Sequence, residues 1–221
     1  MEIHYHQYFQ IISLLAAIAF YRGLIHFKLA AFIPLLLIVC IIEFLGVNNE
    51  YFGWKSNYFI YNYYLLLSPP FYFIVFYQMF RLKGKSRYIL VGISILIEIL
   101  VLLNYFFFQG SSRFNNQSMV FLSIMYIFIT CLIILKINLL DEDERVQSKA
   151  NEIYFIILSS TLLFNLGSLI VMGLQTFISA NKIEMRGVTL YRFIMPKLNV
   201  IVYGAYAYAF YLCHKLNRKS P

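Results

Sequence analysis

Apolar residues run along this chain in long stretches broken by short polar segments. Within a stretch such as Tyr88 to Phe108 there is no apolar–polar alternation. A run of about 20 apolar residues crosses a hydrocarbon core of roughly 30 Å as a helix. A membrane β-barrel would need alternating strands of about 10 residues instead. Helices also satisfy their own backbone hydrogen bonds in lipid. The pattern therefore predicts an all-α, polytopic bundle of seven transmembrane helices. They run over about Tyr8 to Ile25, Leu29 to Val47, Tyr58 to Phe80, Tyr88 to Phe108, Ser118 to Ile137, Asn151 to Met172 and Phe193 to Cys213. Residues 1–221 form one transmembrane domain, with no internal repeat. No connection exceeds about 20 residues, too short for a soluble catalytic or DNA-reading unit.

Local chemistry refines the elements. Ser68-Pro69-Pro70 lies near the middle of the third helix, where each proline removes a backbone donor, so a kink or break is expected there. The acidic run Asp141 to Glu144 precedes the sixth helix and reads as a solvated cap. The connection Gly173 to Arg192 has room for a short interfacial helix around Leu174 to Ala180. Ala17-Ile18-Ala19 resembles a signal cleavage site, but Met1 to Gln7 carries no Lys or Arg, so the first run reads as a retained helix.

Composition agrees. Of 221 residues, 61% are hydrophobic and 13% charged, against about 25% charged in an ordinary soluble domain. The net charge of +8 reads as helix-flanking positive charge rather than a nucleic-acid surface, because no aqueous groove is offered for bases. Arg22, Lys28, Arg81, Lys83, Lys85, Arg87, Lys136, Arg145, Lys149, Lys215, Arg218 and Lys219 fall on one side of the expected membrane. Lys55, Arg113, Lys182, Arg186, Arg192 and Lys197 fall on the other. The richer side marks the cytoplasm, placing the N-terminus outside and the C-terminus inside an inner, cytoplasmic membrane. Cys40, Cys131 and Cys213 sit in or at the end of apolar runs, with no spacing that implies a disulfide framework.

A polar residue deep in a membrane helix is a functional candidate, since a charge at the centre costs about 3 kcal/mol. Glu98 lies near the midpoint of the fourth helix with Ser94 one turn away on the same face. Glu43, Asn62, Asn104, Asn165, Lys197 and Asn199 fall at similar depth once the helices are laid antiparallel, nearer the outside. Their shared depth points to an outward polar pocket. The competing reading is interhelical hydrogen bonding, with each bond worth about 0.6–2 kcal/mol. Lys197 also has the position a retinal-bearing lysine would need, but Arg192 and Pro196 beside it favour a side chain that snorkels to the interface. Gly204, Ala205 and Ala209 give a small-residue packing face, and Thr161, Asn165 and Ser168 share one face of the sixth helix. His4 and His6 are too few to build a metal site alone. No Gly-rich phosphate loop, Cys-x-x-Cys, HExxH or Ser/His/Asp set is present. No catalytic residue, metal ligand or cofactor is assigned.

Three segments carry a resemblance. They are Trp54 to Tyr64 with Asn62 inside Tyr61-Asn62-Tyr63-Tyr64, the sixth helix around Phe164 to Gly173, and the last helix from Lys197-Leu198-Asn199 through Tyr206 to Cys213. Together they resemble uncharacterised seven-helix membrane proteins common in Bacteroidota. Where such proteins often carry a Glu in the third helix, this chain has Ser68-Pro69-Pro70. They are frequently encoded beside sensor histidine kinases, so the resemblance implies a signalling role and a cytoplasmic kinase-like partner.

The leading expectation is a non-enzymatic receptor or accessory signalling subunit. The polar cluster would take a ligand, and the basic segment Arg81, Lys83, Lys85 and Arg87 would meet a cytoplasmic partner. Membrane lipid is the surrounding partner, and the sequence leaves the oligomeric state open. The alternatives are a small-solute transporter or channel built around Glu98 and the proline-broken helix, and a structural subunit of a membrane complex.

Overall fold

The computed structural model describes residues 2–80, 84–110, 113–138, 145–174, 177, 181, 184–185 and 188–218, with only the backbone at 145–148, 184–185 and 188. Eight α-helices account for most of the described chain. They are α1 (Tyr5–Ala19), α2 (Tyr21–His26), α3 (Phe32–Val47), α4 (Tyr58–Phe80), α5 (Lys85–Leu103), α6 (Asn116–Asn138), α7 (Arg145–Gly173) and α8 (Leu190–Asn217). A π-helical turn, Asn104–Gln109, extends α5. A small antiparallel hairpin, β1 (Glu184–Met185) and β2 (Val188–Thr189), leads into α8, with Glu184 opposite Thr189.

Four stretches are long and apolar enough to cross a membrane: Tyr58–Phe80, Lys85–Gln109, Asn116–Asn138 and Lys149–Gly173. Phe32–Val47 is apolar but shorter. These helices are those of a multi-pass membrane protein. The expected acidic cap at 141–144 lies outside the described residues, as does most of the expected interfacial helix over 174–180.

Neighbours define the arrangement. α1 packs on α3 and α8, α3 on α4, α4 on α6, α6 on α7, and α7 on α8. Six helices thereby close a ring, and α5 lies outside it against α4. Ile89, Ile95, Leu96, Ile99 and Leu100 of α5 are exposed, as lipid-facing side chains would be.

The expected first helix is divided in two at Phe20. The division lets α2 press its backbone onto α8, where a Cβ on Gly23 would stand 2.9 Å from the Cys213 carbonyl carbon. Phe20 stacks on His214 with ring centroids 4.8 Å apart. The end of α2 is a Schellman motif: Leu29 N donates to Leu24 O and Lys28 N to Ile25 O. Lys28 takes the left-handed position at φ 56°, and Leu24 and Leu29 are both fully buried. Nearby, Tyr154 Oη donates to Phe27 O at 2.8 Å.

α4 is continuous through Pro69 and Pro70 rather than broken. Neither proline nitrogen carries a hydrogen, so the Leu65 and Leu66 carbonyls lose their donors four residues on. The C-terminus of α4 is met by Lys136 of α6, whose Nζ donates to Phe80 O. Towards this end the bundle interior is filled by Phe32, Phe76, Tyr206 and Phe210, with the Phe32 and Tyr206 centroids 4.9 Å apart.

Candidate functional site

At the opposite end of the ring the centre is open. A cavity of about 350 Å³ begins at Asn57, Tyr58, Tyr191 and Arg192 and descends to Tyr72, Tyr126 and Tyr203. Its volume falls within the roughly 300–1,000 Å³ of small-molecule sites. Tyr58 and Tyr72 are 14 residues apart on α4, so at 1.5 Å per residue the cavity is about 20 Å deep. Beneath it lies the apolar layer of Phe76, Phe32 and Phe210.

The lining follows from helical spacing. Tyr58, Tyr61, Leu65, Ser68 and Tyr72 recur every three or four residues and share one face of α4. α3 contributes Val39, Ile42 and Glu43; α6 contributes Met119, Leu122, Ser123 and Tyr126; α8 contributes Met195, Asn199 and Tyr203. Seven tyrosines in all reach the wall: 58, 61, 64, 72, 126, 191 and 203. The Tyr72 hydroxyl interacts with those of Tyr64 and Tyr206, and Tyr206 Oη lies 2.7 Å from Thr161 Oγ1. The hydroxyls thereby join α4, α8 and α7 at the cavity floor.

Glu43 is the carboxylate of the wall. It accepts one long hydrogen bond, from Tyr61 Oη at 3.4 Å. Tyr61 reaches it by crossing Gly46, where a Cβ would stand 2.7 Å from that same hydroxyl. Asn57 Nδ2 donates to Gly46 O at 3.2 Å and fixes the same corner. Asn48 ties the N-terminal segment to this end, accepting from Glu2 N at 2.7 Å and donating to Glu2 O at 3.0 Å.

Of the six residues expected at one depth, Glu43, Asn165 and Asn199 line the cavity. Asn165 Nδ2 also donates to Thr161 O at 2.8 Å. Asn62 is fully buried as a loop clamp: its Nδ2 donates to Arg113 O at 2.8 Å and its Oδ1 accepts from Asn115 N at 2.9 Å. Between those two anchor points stands Phe114, a cavity residue. Asn104 donates to Gln109 Oε1 at 3.0 Å and to Ser118 Oγ at 2.7 Å, pinning the π-helical turn to α6. Lys197 is exposed and donates to Phe193 O of its own helix at 2.9 Å. Glu98 is half-buried on α5, outside the cavity wall, with Oε2 unpartnered. Ser94 does not reach it, because its hydroxyl bonds back to Leu90 O at 2.9 Å.

Of the basic segment, Arg81 and Lys83 lie outside the described residues. Lys85 and Arg87 are exposed at the start of α5, with the Arg87 guanidinium 5.1 Å from the Tyr77 ring centroid. His4 and His6 stack 5.8 Å apart, and among the described residues no third ligand joins them.

Two features escape a depth argument. One is the tyrosine wall, which the spacing on α4 could have disclosed. The other is a buried polar stripe on α1, His6, Gln10 and Ser13, where both side-chain heteroatoms of Gln10 lack partners. Its spacing of four and three is also legible.

The chain matches no family model, no curated protein and no solved structure at a significant level.

Proposed function

We propose that the protein is a non-enzymatic receptor or accessory signalling subunit of a cytoplasmic membrane, crossing it seven times with the cavity mouth outside. The seven passes are α1 with α2, then α3, α4, α5, α6, α7 and α8. The observation that carries this reading is a cavity open at one end of the ring and backed by tightly packed aromatics at the other. Such a chamber admits a ligand without offering it a way through. Glu98, around which a transport path was the natural alternative, stands outside the chamber wall. A purely structural subunit would pack its polar groups between helices without a chamber.

α4 is the element that would report occupancy. It supplies Tyr58, Tyr61 and Tyr72 to the wall and runs directly into the basic segment that begins at Arg81. Chemical cross-linking in native membranes, followed by purification and mass spectrometry, tests the reading. A cytoplasmic signalling protein should be recovered, and neutralising Arg81, Lys83, Lys85 and Arg87 should abolish its recovery. Recovery of this chain alone would count against a relay.

A further inference from the structure

The wall of the cavity combines one carboxylate with many aromatic rings. Glu43 has a single long hydrogen bond, whereas a carboxylate can accept about four. Among the described residues no basic side chain forms an ion pair with it. Burying a carboxylate without a counter-charge is costly. Tyr61 and Tyr191 lie near that group, and Tyr64, Tyr126 and Tyr203 continue the wall below. Aromatic faces attract cations, most strongly when water is excluded. Arg192 is a basic side chain of the rim, and it is exposed.

We propose that the cavity binds a small organic cation, a protonated amine or a quaternary ammonium, with its nitrogen at Glu43 and its carbon substituents against the tyrosine rings. A bare metal ion would leave most of the chamber empty and use little of its aromatic surface. The inference rests on the cavity being an outward-facing ligand site, and the experiment separates the two.

Ser123 lines the chamber from α6. Ser123→Cys in intact cells is treated with two membrane-impermeant methanethiosulfonates, one carrying a trimethylammonium and one a sulfonate. The wild-type chain, which retains Cys40, Cys131 and Cys213, is the blank, and rates are normalised to those with a free thiol in solution. The cationic reagent should be favoured at least about tenfold, the equivalent of some 1.4 kcal/mol. Glu43→Gln should remove the preference and Glu43→Asp restore it. Choline and tetramethylammonium should each slow labelling to a saturable limit, and sodium at equal concentration should not.

Labelling without charge preference would overturn the ligand class and leave the chamber standing. So would a cation preference that neither ammonium compound suppresses, since that reports a field and not a bound ligand. Preference for the sulfonate, lost in Arg192→Ala, would make this an anion site. No labelling by either reagent would overturn both the outward-facing site and the cation assigned to it.

Discussion

Asn62 on α4 holds the backbone of Asn115 across 53 residues of sequence, accepting its N–H at 2.9 Å while donating to Arg113 O. One amide thereby closes the loop that carries Phe114 to the cavity. Asn62→Ala would strand a buried N–H and a carbonyl together, at a cost of about 3 kcal/mol. Thermal unfolding in detergent should show a clear fall in midpoint, and Phe114 should lose its fixed position. Asn62→Asp, which keeps the acceptor but loses the donor, should lie between Ala and wild type. An unchanged midpoint in Asn62→Ala would mean the clamp does not form.

The glycines separate rigid from yielding neighbours. Gly23→Ala sets a methyl against the backbone of Cys213 and His214, which cannot turn aside, and should cost about 2 kcal/mol. Gly167→Ala meets the tip of Leu198, a side chain that can change rotamer for about 1 kcal/mol. The order of the two midpoints is the check, and equal losses would contradict the close approach of α2 to α8.

Lys28 occupies a left-handed backbone position that glycine takes without strain. Lys28→Gly should stabilise the chain by about 1 kcal/mol. Lys28→Ala should gain nothing, because alanine keeps the Cβ that causes the strain. A gain in both variants would trace the effect to charge and not to the backbone.

Thr161 and Tyr206 join α7 to α8 through hydroxyls 2.7 Å apart. Thr161→Val and Tyr206→Phe should each cost about 1 kcal/mol, and their double-mutant coupling should be of similar size, in keeping with hydrogen bonds between membrane helices. Additive losses would indicate that each hydroxyl serves a different neighbour.

The sequence makes helix positions plain because every apolar run must span or pack as a helix. The bounds Tyr58 to Phe80 agree with α4 at both ends. Depth was legible too: Glu43, Asn165 and Asn199 do meet in one chamber. Azimuth was not. Lipid and protein core are both apolar, so a membrane helix has no polar side to mark its outer face. Lys197 and Asn199 differ by two residues, and that offset sends one outward and the other to the cavity wall. Asn62 and Asn104 serve the α5–α6 connection because a loop folding back over helix ends needs partners for its backbone groups. The division at Phe20 was hidden because it depends on contact with α8, nearly 200 residues away.

Pro69 and Pro70 bear on more than the shape of α4. Their missing hydrogens deprive the Leu65 and Leu66 carbonyls, at mid-depth, of the usual donors four residues on, and Leu65 belongs to the cavity wall. A carbonyl dipole in a low-dielectric interior keeps a partial negative end that no change of pH can titrate away. Those dipoles are fixed in the main chain of α4: replacing every ionisable side chain nearby would leave them in place, although the carboxylate charge of the wall would go with Glu43.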